Sequence, residues 1–149
     1  RVLIYGATGS VGSAAVEIAK YYNAHVTSVC SERGAELAKS LGSDEIVLYT
    51  KQDFRKLEQK FDIVFDAVGK TTKKDGAHIL KSDGKYLTVA GLDVAKETTS
   101  QIVFLRDLFE KGKINANIDK NFSLDDIVEA HRYVDSERKK GNVILKING

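Results

Sequence analysis

Short apolar runs alternate with amphipathic segments along the first 90 residues. Five runs are rich in β-branched side chains and predict strands, at 2–5, 25–29, 45–49, 61–65 and 85–89. Runs this apolar are typical of strands that are buried on both faces, as in a parallel sheet covered by helices. Helical patterns separate them at 10–22, 34–41 and 73–81, the last ended by a turn at 82–84. This alternation predicts a doubly wound α/β sheet of the Rossmann type, with helices on both faces.

Beyond Gly91 the pattern predicts a smaller set of elements. A helix is expected near 99–111, a short extended stretch at 114–118, a second helix that Ser123 caps, and a closing strand at 143–147. Asp125 and Asp126 lie in the first turn of that second helix, where the helix dipole favours carboxylates. The charged run 137–140 that follows is interpreted as a solvated helix end, where cations are favoured in any protein.

Composition narrows the class of protein. The 149 residues are 42% apolar and 30% charged, enough to bury a core in one domain. A net charge of +2 gives no reason to expect nucleic acid or an anionic membrane as partner. Cys30 is the single cysteine, which excludes an internal disulfide. No apolar run approaches the roughly 20 residues that span a bilayer, so a cytoplasmic protein is expected.

The beginning of the chain has its own implication. Position 1 is not Met, and the first strand starts at once. We therefore expect residues 1–149 to be a dinucleotide-binding domain cut from a longer protein.

The main chemical signal is a glycine-rich loop between the first strand and the first helix. Glycines at this position let the chain turn tightly and let the backbone approach a pyrophosphate, which the N–H groups at the helix start then bind. No Lys follows the glycines, which excludes a nucleoside-triphosphate P-loop. The predicted cofactor-binding residues of this loop are Gly6, Ala7, Thr8, Gly9, Ser10, Val11 and Gly12.

The end of the second strand is expected to contact the ribose. An acidic side chain there would accept from the 2′-hydroxyl of NAD, whereas a cation would suit the 2′-phosphate of NADP. Cys30 and Ser31 carry no charge, and Arg33 follows, so NADP is the expected cofactor. Glu32 would take the acidic role and favour NAD if the strand ran one residue longer.

Small residues end two further strands, and no catalytic set accompanies them. Asp66–Gly69 and Gly91 lie where a nicotinamide would pass close to the backbone of a doubly wound sheet. The three histidines lack partners at a ligand spacing, and Cys30 lacks a base. Each tyrosine lacks a Lys four residues later, which argues against a Tyr-x-x-x-Lys acid–base pair.

Four segments together carry a family resemblance. Residues 2–12, 38–44, 61–69 and 122–133 resemble the nucleotide-binding domain of the medium-chain dehydrogenase/reductase superfamily. The Ala7-x-Gly9-x-x-Gly12 spacing is similar to that of its zinc-independent, quinone-oxidoreductase-like branch, which usually prefers NADPH. The resemblance implies hydride transfer between nicotinamide and a small-molecule substrate: a quinone, an enone, or an alcohol or carbonyl compound.

Residue roles follow from the same resemblance. It implies that Ser10 and Val11 contact the pyrophosphate and that Ser31 and Arg33 lie near the 2′-phosphate. It also implies that Tyr49 contacts the adenosine. Further along the cofactor it implies contacts from the backbone-lining residues Ala67, Val68, Gly69 and Gly91, and from Asn142.

Two segments that the family carries are missing from this sequence. One is an N-terminal domain that supplies much of the substrate pocket. The other lies after Gly91, where the family has a strand that pairs across a homodimer and this chain has only residues 92–98. The resemblance implies a homodimer of the full-length protein, but the short segment argues against dimerisation through this strand. Two hypotheses stay open at this point: the cofactor domain of a reductase, or a non-catalytic module that senses a dinucleotide.

Overall fold

Alternating strands and helices build the fold, as the sequence pattern predicts. The structure, a computed structural model, describes residues 1–91 and 96–147. Its strands are β1 (Val2–Tyr5), β2 (Val26–Cys30), β3 (Glu45–Leu48), β4 (Phe61–Asp66), β5 (Leu80–Thr88), β6 (Ile118–Ser123) and β7 (Asn142–Lys146). Its helices are α1 (Ser10–Tyr21), α2 (Ala35–Ser40), α3 (Lys73–Ala77), α4 (Thr99–Glu110) and α5 (Ile127–Asp135).

The first five strands form one parallel sheet. Their order is β3-β2-β1-β4-β5, and every neighbouring pair is parallel. From β1 the chain moves outward through β2 and β3, then returns to the other side of β1 for β4 and β5. This is the doubly wound topology, and its switch point lies between β1 and β4, where such sheets bind their ligands.

Both faces are buried in the central strands β1 and β2, which explains their continuous apolar runs, whereas Leu87 of the edge strand β5 is 48% exposed. Leu3 belongs to a cluster on one face and Ile4 to a cluster on the other, because successive strand residues point to opposite sides. On the Ile4 side the cluster includes Val16 of α1, and on the Leu3 side it includes Phe54 and Ile79. The prediction of helices on both faces is confirmed.

The third helix is shorter than predicted, and the fifth strand is longer. Helix α3 ends at Ala77, and β5 already begins at Leu80. Leu80 pairs with Phe61, but the next pair is Ile63 with Lys85, so residues 81–84 bulge out of the ladder. The prediction of a helix to 81 and a turn at 82–84 was wrong, because the Ser-Asp-Gly signal belongs to this bulge rather than to a helix end.

The C-terminal part of the chain forms a separate, two-stranded parallel sheet. Strand β6 pairs with β7, and the register shifts between Ile118 and Lys120. The predicted extended stretch at 114–118 is correct only at its last residue, because the side chains of Asn115 and Asn117 and the Asn115 N–H donate to the carboxylate of Glu17 instead. These hydrogen bonds connect the segment before the two-stranded sheet to α1.

Ser123 does not cap a helix in the predicted way. A short 3-10 turn, Leu124–Asp126, precedes α5. The Ser123 hydroxyl donates to the Asp126 carboxylate at 2.6 Å instead of accepting a backbone N–H. The helix start is therefore displaced by one turn from the predicted position.

Helix α1 packs against the glycine loop without room for a side chain. A Cβ atom added to Gly12 would lie 2.1 Å from the carbonyl oxygen of Gly6 and 2.8 Å from the Cα atom of Ala7. Both neighbours are backbone atoms, so neither can rotate away. Gly12 therefore fixes how closely the helix approaches the loop.

Substituting Gly12 by Ala should destabilise the protein. The added methyl group must push α1 away from the loop, and we expect a loss of about 1–3 kcal/mol in the free energy of unfolding. Urea denaturation measures it. Gly9→Ala is the matched control, since a Cβ there would lie 3.5 Å from its nearest neighbour. Equal stability of the two variants would contradict the close packing at Gly12.

Candidate cofactor-binding site

The glycine loop leaves the start of α1 open to an anion. Gly9 precedes the helix and offers no side-chain cap, and the first turn holds no acidic residue. The N–H groups of a helix's first turn have no partner within the helix, and the helix dipole makes this end positive. Ser10 and Val11, predicted at the pyrophosphate, begin this turn.

A cleft of about 620 Å³ lies over the glycine loop at the carboxyl edge of the sheet. This volume is in the range of ordinary ligand sites. Five cationic side chains and one carboxylate line it, a charge balance that attracts anions. The charged lining residues are Arg33, Lys70, Glu137, Arg138, Lys139 and Lys140.

Ten of the predicted site residues line this cleft. They are Gly6, Thr8, Gly9, Ser10, Val11, Ser31, Arg33, Tyr49, Ala67 and Val68. Ala7 and Gly12 are buried behind the loop and shape it. Gly69, Gly91 and Asn142 are absent from the lining, and the Asn142 amide donates to the carbonyl oxygen of Ala116. The shortened segment after Gly91 falls partly on residues 92–95, which lie outside the described residues.

The structure at the end of β2 shows whether an acidic or a cationic side chain faces the cleft there. The strand stops at Cys30, Ser31 is extended, and Glu32 begins a 3-10 turn. The Glu32 carboxylate pairs with Lys51 at 2.8 Å, which lowers the pKa of Glu32. Arg33 lines the cleft and makes no ion pair within the described ranges 1–91 and 96–147. The cleft therefore meets a free cation here, not a carboxylate.

Cys30 is a buried residue of β2 and is not activated as a nucleophile. Its side chain is buried, and burial raises the pKa of the thiol. A thiol with a raised pKa is a poor nucleophile at neutral pH. The interpretation of Cys30 as a packing residue fits this environment.

A buried carboxylate shapes the loop after β4. One oxygen of Asp66 accepts from the N–H groups of Val68 and Gly69, at 3.0 and 2.9 Å. The other accepts from the N–H and the hydroxyl of Thr71, at 2.7 and 3.0 Å. The Thr71 hydroxyl in turn contacts the hydroxyl of Tyr86. Asp66 thus holds in place the loop along which the nicotinamide half is predicted to lie.

The opposite wall of the cleft comes from residues 137–140, which follow α5. The sequence analysis assigned only Asn142 of this segment to the cofactor and missed the residues that line the cleft. The Lys139 ammonium donates to the Ser10 hydroxyl at 2.6 Å. Across the cleft mouth, Lys70 pairs with Glu137 at 2.9 Å. The run 137–140 is therefore not simply a solvated helix end. Its cationic composition was the available signal, but the pairing of β6 with β7 that brings it here was not foreseen.

The residues present fit a dinucleotide. A Cβ at Gly6 would lie 2.6 Å from a methyl carbon of Val68, so no side chain fits between the glycine loop and the loop after β4. The open helix start suits a pyrophosphate, and the surrounding cations suit its charge.

None of the helices in the described residues is long and apolar enough to cross a membrane. Within those same residues, no group of three or more His, Cys, Asp or Glu side chains could hold a metal ion.

Comparison with known proteins decides the family. A family model described as zinc-binding dehydrogenase matches residues 10–117, and a second model of that description matches 93–145. The chain belongs to the medium-chain dehydrogenase/reductase superfamily. The resemblance inferred from the sequence is thereby confirmed, and with it a nicotinamide cofactor.

Individual relatives agree with this family. A 2-methylene-furan-3-one reductase of Solanum lycopersicum is 33% identical, over 97% of this chain and 39% of its own length. The chloroplastic NADPH-dependent alkenal/one oxidoreductase of Arabidopsis thaliana is 28% identical, over 97% of this chain and 40% of its own length. The quinone oxidoreductase structure of Pseudomonas syringae has a TM-score of 0.79 and 25% identity, covering 97% of this chain and 55% of that one. The chain thus spans about two-fifths of the length of these curated relatives.

Asp66→Asn tests whether this carboxylate holds the loop after β4. The amide can accept through one oxygen only, so two of the four hydrogen bonds lose their acceptor. We expect a loss of about 1–3 kcal/mol in the free energy of unfolding, because buried N–H and O–H donors are left unpaired. Chemical denaturation measures it, with the exposed Asp83→Asn as control. A stability loss no greater than that of the control would contradict the role of Asp66.

Proposed function

We propose that this chain is the NADPH-binding domain of an oxidoreductase that transfers a hydride between nicotinamide and a quinone, an enone, or an alcohol or carbonyl compound. The observation that carries the proposal is the cationic cleft over the open start of α1, in a chain of this superfamily. Bound nicotinamide supplies the hydride at its C4 atom. The chain's own contribution is to bind the dinucleotide and to hold the loop beside the nicotinamide half through Asp66.

Three features at the end of β2 support NADPH over NADH. Ser31 and Arg33 line the cleft there. Glu32, the residue that would favour NAD, is absent from the lining and its carboxylate is held by Lys51. A ribose 2′-hydroxyl would meet no acidic acceptor, whereas a 2′-phosphate would meet a guanidinium. The Arabidopsis relative is NADPH-dependent by its name, which agrees with this preference.

The substrate class rests on the relatives. The tomato and Arabidopsis proteins are named for furanone and alkenal or alkenone substrates, which contain a carbon–carbon double bond next to a carbonyl group. We propose an enone of this kind as the first substrate to test. Homodimerisation of the full-length protein and a cytoplasmic location stay predictions.

Arg33→Ala tests the cofactor preference. The substitution removes a charge-assisted contact to the 2′-phosphate, and we expect NADPH binding to weaken by about 1.5–3 kcal/mol. NADH carries no 2′-phosphate, so its affinity should change little. Calorimetric titration of the chain with each dinucleotide measures both affinities. Arg106→Ala on α4 is the matched control.

The outcomes of this titration separate three claims: recognition of the 2′-phosphate by Arg33, preference for NADPH, and dinucleotide binding. Equal losses for NADPH and NADH would show that Arg33 does not recognise the 2′-phosphate. A wild-type chain that binds NADH more tightly than NADPH would overturn the NADPH preference. A wild-type chain that binds neither would overturn dinucleotide binding itself.

Hydride transfer needs the full-length protein. Oxidation of NADPH, followed at its absorbance band, should depend on an added enone or quinone. The alternative is a non-catalytic module that senses the dinucleotide. It would be favoured by a full-length protein that binds NADPH but does not oxidise it when any quinone, enone, alcohol or carbonyl compound is added.

A further inference from the structure

Helix α4 packs against the C-terminal end of α1 through one apolar face. The centroid of the Phe104 ring lies 5.8 Å from that of Tyr21 and 6.3 Å from that of Tyr22. Leu108, one helical turn after Phe104, is buried. Residues four apart lie on the same side of a helix, so Phe104 and Leu108 mark the side that the chain itself covers.

A second apolar face of the same helix is exposed. Ile102, Leu105 and Phe109 are 62%, 40% and 57% exposed. They stand at positions i, i+3 and i+7, so they form one stripe along the helix, here called the α4 stripe. At 3.6 residues per turn, this stripe lies roughly a third of a turn from Phe104 and Leu108. An exposed apolar stripe on a helix indicates a surface that binds a partner.

The α4 stripe is complementary to itself when two copies of the helix run antiparallel. With a two-fold axis near Leu105, Ile102 of each copy would lie opposite Phe109 of the other. The two Leu105 side chains would meet at the axis. An interface that uses the same patch on both copies is the usual arrangement in homodimers.

The charges beside the stripe do not oppose the approach of a second copy. Arg106 pairs within its own helix, with Asp107 at 2.9 Å and with Glu110 at 3.7 Å. Residues 106–111 contain two cations and two carboxylates, so this part of the helix carries no net charge. Like charges that face each other across an interface prevent self-association, and here the guanidinium is already neutralised.

The apolar area is sufficient for a weak dimer. Tyr21 and Tyr22 are 41% and 65% exposed, and they extend the apolar surface beyond Phe104. From these exposed fractions, the α4 stripe and the two rings together offer roughly 500 Å² of apolar surface on each copy. A standard interface buries about 800 Å² on each partner, including a polar rim. The patch therefore fits the apolar centre of an interface at the lower end of this range.

We propose that two copies of this chain associate through the α4 stripe, with the helices antiparallel about Leu105. The contact differs from the strand pairing that the family resemblance implies, because it uses a helix and needs no strand after Gly91. It goes beyond the proposed function, since it requires neither cofactor nor substrate. The cleft stays open in the dimer, because α4 contacts the end of α1 that is remote from Ser10.

Charges placed at the axis test this arrangement. Sedimentation equilibrium of the wild-type chain should show a dimer with a dissociation constant of roughly 1–100 μM. Leu105→Glu brings two carboxylates together and should weaken association by at least about 10-fold, and Leu105→Lys should do the same with two ammonium groups. An equimolar mixture of the two variants should associate again, because each carboxylate then meets an ammonium.

Val103→Glu is the matched control. Val103 lies on the same helix and is 38% exposed, nearly as much as Leu105, but it lies off the stripe. This variant should dimerise like the wild-type chain. Circular dichroism checks that each variant is folded, and the substituted side chains are exposed in the single chain, so the fold should tolerate them.

Four results would overturn the proposal. A wild-type chain that stays monomeric over this concentration range has no such dimer. Association that survives in Leu105→Glu, or that falls equally in Val103→Glu, uses another surface. A mixture of Leu105→Glu and Leu105→Lys that does not associate excludes the antiparallel contact at the axis. A monomeric chain in which Ile102→Cys reacts with a thiol reagent, while the same position is shielded in the full-length protein, would show that another part of that protein covers the stripe.

Discussion

The approach of α1 to the glycine loop is the contact on which the rest of the site depends. At Gly12 the helix comes so near that even one methyl group would overlap the Gly6 carbonyl. This distance places the helix start directly beside the turn that leaves β1. A larger residue would push the start of α1 away from this turn, and the cleft would lose the floor on which we propose that the pyrophosphate binds.

Around this contact the site is assembled from four separate parts of the chain. The glycine loop supplies the floor, the end of β2 supplies Arg33, and the loop after β4 is held by Asp66. The segment after α5 supplies the remaining wall and most of its positive charge. The first three parts meet because the carboxyl ends of parallel strands share one edge of a sheet. The fourth meets them only because β6 and β7 pair and return the chain to Thr8, whose carbonyl oxygen accepts from the N–H of Gly141.

The limits of sequence reasoning follow from this assembly. The sheet and the glycine loop were predictable because local signals specify them: β-branched runs, a helical stripe, and glycines between a strand and a helix. The bulge at 81–84 was not, because Ser82-Asp83-Gly84 reads equally as a turn and only the pairing of Leu80 with Phe61 decides between them. Lys139 was missed for a related reason, since its run of cations looks the same on a solvated helix end.

The link between Ser10 and Gly141 gives the site an order of completion during synthesis. The two residues are 131 positions apart, so the glycine loop exists long before its second wall is made. Contacts of such sequence separation form late in folding, because a long loop must close before they stabilise anything. A nascent chain still lacking residues 139–141 could already contain the glycine loop but not the second wall of the cleft. The cleft that we propose for the cofactor is therefore complete only once the C-terminal two-stranded sheet has formed.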